Sequence, residues 1–140
     1  MEPAIIRSSG SFRNEVVAGR HHFVADEPAS AGGTDEGPTP YDLLSAALGT
    51  CTSMTLHFFA KRENIPLEGV EVSVANDRQH AKDCADCLTT AGYIHRFDVK
   101  IRLRGNLTPE QRERLIATAK RCPVYKTLTS EIRIDETAVD

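Results

Sequence analysis

Four cysteines carry most of the chemistry this 140-residue sequence offers: Cys51, Cys84, Cys87 and Cys122. A thiolate is both a nucleophile and a metal ligand, and its reactivity follows its pKa. Cys84 and Cys87 form a Cys-x-x-Cys pair within His80-Ala81-Lys82-Asp83-Cys84-Ala85-Asp86-Cys87. That spacing suits a zinc site with His80 as third ligand, the fourth coming from His95, an aspartate or another chain. It equally suits a dithiol redox pair, or neither. Cys122 precedes Pro123 at the junction of two helical segments, where it can cap the second, and a helix N-terminus favours a thiolate. Cys51 has Ala47, Leu48, Met54, Thr55 and Phe58 as helical neighbours. An apolar setting raises a thiol pKa, so taken alone Cys51 reads as a small core residue. It also lies too deep in its helix for the macrodipole, whose effect fades within a turn. A reactive Cys51 requires a cation from elsewhere in the fold. The histidines form no His-Glu-x-x-His pattern, His57 falls on a different helical face from Cys51, and Gly32-Gly33 opens no phosphate loop.

The elements that must position these thiols follow from pattern. Residues 4–26 read as two or three short strands punctuated by Gly10 and Gly19, and a Gly/Pro-rich loop occupies 27–39. A helix is expected from Pro40 to Arg62, with Thr39 as N-cap, Pro40 in the first position and Asp42 in the first turn. It is apolar around most of its circumference from Leu43 to Phe59, the pattern of a buried central helix. Val70, Val72 and Val74 alternate along a strand over 69–75, residues 76–92 read as irregular, and 93–103 form a second long strand. Thr108-Pro109-Glu110-Gln111 is a capping box for a helix whose inner stripe is Leu115, Ile116 and Ala119. Pro123 ends that helix and opens a short one through Leu128. Residues 130–136 alternate as a last strand. The class is α+β, a mostly antiparallel sheet packed on helices.

One domain over residues 1–140 is the default for this length. Hydrophobic residues at 40% and charged residues at 26% are ordinary for a soluble globular chain. The net charge of −3, without a basic face, argues against nucleic acid as a partner. From Met1-Glu2-Pro3, which lacks a basic start and an apolar run, no signal peptide is expected, and no apolar stretch is expected to span a membrane. A cytoplasmic location is the expectation, and in that reducing setting cysteines serve metal or redox chemistry more often than structural disulfides.

The run from Gly33 to Leu56, with Gly37-Pro38-Thr39-Pro40-Tyr41-Asp42 entering the helix and Gly49-Thr50-Cys51-Thr52 inside it, resembles the cysteine-bearing helix of OsmC/Ohr proteins. Cys122-Pro123-Val124-Tyr125-Lys126-Thr127-Leu128 resembles their second-cysteine motif. The resemblance implies an intertwined homodimer and a thiol-dependent peroxidase that reduces organic hydroperoxides, in some members hydrogen peroxide. It implies Cys51 as the attacking residue, Cys122 as the resolving one, and a dithiol reductant of lipoyl or thioredoxin type, with no cofactor required. It also implies an arginine from the N-terminal strands beside the thiolate. Arg13 and Arg20 are the candidates, with Arg20 favoured by its place next to Gly19 at a turn. Family peroxidases usually carry a glutamate directly after the proline that opens the helix. Here Tyr41 stands there, followed by Asp42, which either orients the arginine or merely caps the helix. The competing functions are a non-enzymatic binding protein for an apolar or thiol-reactive ligand, and a metal-binding module on His80, Cys84 and Cys87.

Overall fold

Short apolar runs separated by tight turns make residues 5–25 a meander rather than a helix, and the structure, a computed structural model that describes residues 1–139, shows three strands there. β1 (Ile5–Ser8), β2 (Asn14–Ala18) and β3 (His21–Ala25) pair antiparallel in that order. Gly19, at φ 61°, opens the two-residue loop Gly19-Arg20 between β2 and β3. The loop beyond β3 is organised by Asp26, only 2% exposed. Its carboxylate accepts hydrogen bonds from the Glu27, Thr34 and Glu36 amides and, at 2.7 Å, from the Thr34 hydroxyl. A side chain at Gly33 would overlap the Glu27 carbonyl, so glycine is required by this turn.

The described residues fall into two compact units, divided between Leu44 and Ser45. Helix α1 (Pro40–Arg62) has the bounds expected from its punctuation. Thr39 Oγ1 accepts from the Asp42 amide at 3.1 Å, and Asp42 Oδ2 accepts in return from the Thr39 amide at 3.0 Å. This reciprocal pair satisfies two helix-start donors.

In the second unit, β4 (Leu67–His80) and β5 (Tyr93–Gly105) form one long antiparallel hairpin, in register from Val70↔Leu103 to His80↔Tyr93. Helix α2 (Pro109–Thr118) starts with the expected Thr108/Gln111 capping box, and a 3-10 turn at Ala119–Arg121 leads into α3 (Pro123–Leu128). The core consists of Leu56, Phe59, Ala60, Ile65 and Leu115, with Val70, Ile101 and Leu103 packed against it from the hairpin. A Cβ on Gly49 would come within 3.2 Å of Val74 Cγ2, so that glycine lets the helix lie close on β4. Asn76 Nδ2 donates to Ser45 Oγ at 2.7 Å and ties the two together.

Several expectations are corrected. β4 runs five residues beyond Ala75, because β5 supplies backbone partners to residues 76–80 although they carry no apolar alternation; Arg78 and His80 add contacts to the Tyr93 ring, at 5.0 and 4.6 Å. Helix α1 is buried on one stripe only, Leu48, Thr52, Leu56 and Phe59, while Met54 is 66% and Phe58 70% exposed. It is also long and apolar enough to cross a membrane by length and composition, contrary to expectation; that apolarity supplies the core just described. Ile116 lies on the outer side of α2, 45% exposed, while Leu115 is fully buried. Residues 130–136 form no strand: among the described residues their backbones have no ladder partner, and Ile132 and Ile134 are exposed.

Candidate active site

Helical geometry puts residues separated by four, seven and eleven positions on one face. Cys51, Thr55, Phe58 and Arg62 stand in that relation on α1 and line one cleft of about 440 Å³. Met54 and Phe59 complete its α1 wall, and Thr118, Arg121 and Pro123 close the opposite side. The wall is mainly apolar, with two guanidinium groups. Arg62 lies 5.6 Å from the centre of the Phe59 ring. Neither Arg62 nor Arg121 has a carboxylate partner among the described residues, whereas Arg114, also against Phe59, is bound to Glu63 at 3.1 Å.

Cys122 sits behind this cleft, fully buried, while Cys51 is half-buried. As expected, Cys122 is the N-cap of α3: the Tyr125 amide donates to its sulfur at 3.4 Å. Burial pushes the Cys122 thiol above its ordinary value of 9.0, and a hydrogen bond with Cys51 pushes it further; the Tyr125 amide pulls the other way and loses. Burial and the neighbouring Cys51 thus both favour the protonated form of the Cys122 thiol. Both thiols are free. The expected pair is thus brought together across α1 and the α2–α3 junction.

The other candidates belong to the first unit or to the connection between β4 and β5. Asp42 belongs to the first unit, and its carboxylate is engaged in the α1 cap. Arg20 lies exposed in the β2–β3 loop of that unit. Arg13, beside β2, pairs with Glu36 at 3.3 Å and Glu15 at 3.7 Å. Cys84 and Cys87 are bonded to each other as a disulfide in the connection between β4 and β5. The ligand-type side chains gathered there are Cys84, Asp86 and Cys87; His80 is outside the group, with its ring against Tyr93. The bonded sulfurs offer no thiolate, so this arrangement does not fit zinc held by His80, Cys84 and Cys87. Sequence reasoning passed over Arg62 and Arg121, although Arg62 shares the helical face of Cys51 and Arg121 adjoins Cys122.

Comparison with known proteins places the fold. No curated protein matches the chain. Among solved structures, an OsmC-like protein of Mycoplasma pneumoniae aligns with a TM-score of 0.72 at 17% identity, over 90% of this chain and 85% of that one. The organic hydroperoxide resistance protein OsmC of Legionella pneumophila aligns at 0.65 and 19%, over 92% and 90%. OhrB, the organic hydroperoxide resistance protein of Bacillus subtilis, aligns at 0.62 and 21%, over 91% of each chain. At such identities the likeness establishes the fold. The family model for OsmC-like proteins matches residues 33–137, a stretch that includes both Cys51 and Cys122, and the chain belongs to that family.

Proposed function

We propose that the protein is a two-cysteine hydroperoxide reductase. The observation that carries this reading is the pair of free thiols at an apolar cleft, Cys51 lining it and Cys122 fully buried next to the lining residue Pro123, with burial and Cys51 both favouring the protonated Cys122 thiol. The Cys51 thiolate attacks the hydroperoxide O–O bond; the distal oxygen stays on sulfur as a sulfenic acid, and the alkoxide leaves as an alcohol after taking a proton. The Cys122 thiol then condenses with the sulfenic acid, forming the Cys51–Cys122 disulfide and releasing water. A dithiol of lipoyl or thioredoxin type restores both thiols by exchange, each sulfur gaining one electron and one proton. Burial keeps Cys122 protonated and thus unreactive toward peroxide, which assigns attack to the more accessible Cys51.

The apolar wall favours an alkyl hydroperoxide, and the unpaired Arg62 and Arg121 favour one that also bears a carboxylate. Arg20 or Arg13 as the cation beside Cys51, and Asp42 as its support, are carried over from family resemblance. We take residues 1–140 as one domain because the family match crosses both units. We take the working form as a cytoplasmic homodimer, a second copy covering the exposed Met54–Phe58 side of α1 and pairing with residues 130–136. The engagement of Asp42 in the helix cap favours a second reading, a binding protein for an apolar ligand without turnover.

The test begins with fully reduced protein. One equivalent of cumene hydroperoxide is added, free thiols are counted over seconds, and linkages are mapped by peptide mass. Rapid loss of two thiols with a Cys51–Cys122 crosslink is expected. Persistence of both thiols would leave only the binding reading.

A further inference from the structure

We infer that Cys84 and Cys87 form a second thiol–disulfide exchange site, which takes two electrons from an external dithiol independently of Cys51 and Cys122. The disulfide joins residues separated by 3 in sequence, with Cα atoms 5.4 Å apart. A loop that short constrains the unfolded chain little, so stapling is a weak reason for the bond. The segment is already closed without it. His80 pairs with Tyr93, the Ala81 amide donates to the Gly92 carbonyl at 2.9 Å, and Ala81 is 2% exposed. Both cysteines are half-buried, while Ala85, Asp86 and Leu88 around them are exposed. The bond is thus presented on a supported loop where an incoming thiol can reach it.

Its position separates it from the cleft. Gly49 rests on Val74, six residues before the end of β4 at His80, so the Cys84–Cys87 loop lies about 20 Å along the strand from that level. Cys51 is two residues from Gly49 on α1, so direct exchange between the two sulfur pairs of one subunit is excluded by distance.

The exchange has two steps. A thiolate of the external dithiol attacks one sulfur of the pair, forming a mixed disulfide and expelling the other as a thiolate, which takes a proton. The carrier's second thiol then attacks the mixed disulfide. The carrier leaves oxidised, and Cys84 and Cys87 are both thiols. Asp86 Oδ1 lies 3.4 Å from Cys84 Sγ, where its charge opposes both an approaching and a departing thiolate.

The full-length protein is equilibrated in dithiothreitol buffers of graded oxidation and, separately, in glutathione buffers. It is then acid-quenched, alkylated and digested, and the peptide bearing Cys84 and Cys87 is read apart from those bearing Cys51 and Cys122. A two-electron transition of that peptide is expected while the far-ultraviolet circular dichroism stays native, and it is expected unchanged in the Cys51→Ser/Cys122→Ser variant. Asp86→Asn is expected to speed reduction by dithiothreitol about fivefold at low salt, the worth of one screened unit charge at contact. Four results would overturn the inference. They are reduction only on unfolding, a pair that stays reduced in oxidised glutathione, loss of the transition in the double variant, and stoichiometric zinc capture by the reduced pair. Because Cys51 and Cys122 are read in separate peptides, failure here is distinguishable from failure of the peroxidase reading.

Discussion

Replacing Arg121 by methionine separates the two things a cation in the cleft can do. The side chain lines the apolar wall with Arg62 and has no carboxylate partner among the described residues, so its charge is available to a substrate. A guanidinium and a carboxylate about 4 Å apart are worth ~1 kcal/mol in water and ~4 kcal/mol at an effective dielectric constant of 20. The cleft opens to solvent and Arg62 remains in the variant, so a loss near 1.5–2 kcal/mol is expected, which is roughly a 10- to 30-fold rise in KM. Methionine keeps the length and apolar contact of the stem. The assay compares initial rates for a carboxylate-bearing fatty-acid hydroperoxide and for neutral cumene hydroperoxide, at low and high salt. Only the acid substrate should lose, through KM with kcat retained, and added salt should narrow the difference between wild type and variant. An equal fall in kcat for both substrates would refute carboxylate binding and assign the charge to the Cys51 thiolate instead.

Cys122→Ser removes the thiol that, in the proposed mechanism, condenses with oxidised Cys51. Mass spectrometry should find Cys51 climbing to sulfinic acid under repeated peroxide addition, with dithiol-supported turnover lost. Leu115→Ala empties a fully buried position in the core beneath the cleft and should cost about 2–5 kcal/mol in urea unfolding. Asp26 titrates below its ordinary value of 3.8, chiefly because of the Thr34 hydroxyl and further through three amides that outweigh burial. A carboxyl lowered in the folded state stabilises it fully above the unfolded value, and that contribution disappears as pH falls through the folded one. Acid below about pH 4 should therefore release the Thr34 and Glu36 amides to hydrogen exchange, while Asp26→Asn should flatten that pH dependence.

Elements fixed by local chemistry were legible from sequence. The bounds of α1 follow from Thr39, Pro40 and Asp42 at one end and Asn64 with Pro66 at the other, and the Thr108/Gln111 box starts α2 as its residues require. The cap at Cys122 was readable from Pro123 alone. What depends on long-range pairing was not. Residues 76–80 carry no apolar alternation, yet they extend β4 because β5 supplies their backbone partners. Residues 130–136 alternate properly and form no strand, because alternation creates a face but not a ladder. Likewise, the apolarity of α1 measured what the helix could bury, and within one chain only a single stripe meets the core.

The site repeats this division between local and distant information. Cys51 in an apolar helix reads as an inert thiol, because the sequence around it contains no partner. The partner arrives from Cys122, across a hairpin and a helix, and the difference in burial between the two sulfurs then does what neither local sequence could. The enclosed thiol rises in pKa and keeps its proton, while Cys51 lines the cleft. In the proposed mechanism the order of attack and resolution is therefore a consequence of burial. Enlarging the cleft, by truncating its lining residue Thr118 to alanine, should let water reach Cys122, lower its pKa and let the hydroperoxide oxidise both thiols, detectable as sulfenic acid trapped on Cys122 as well as on Cys51.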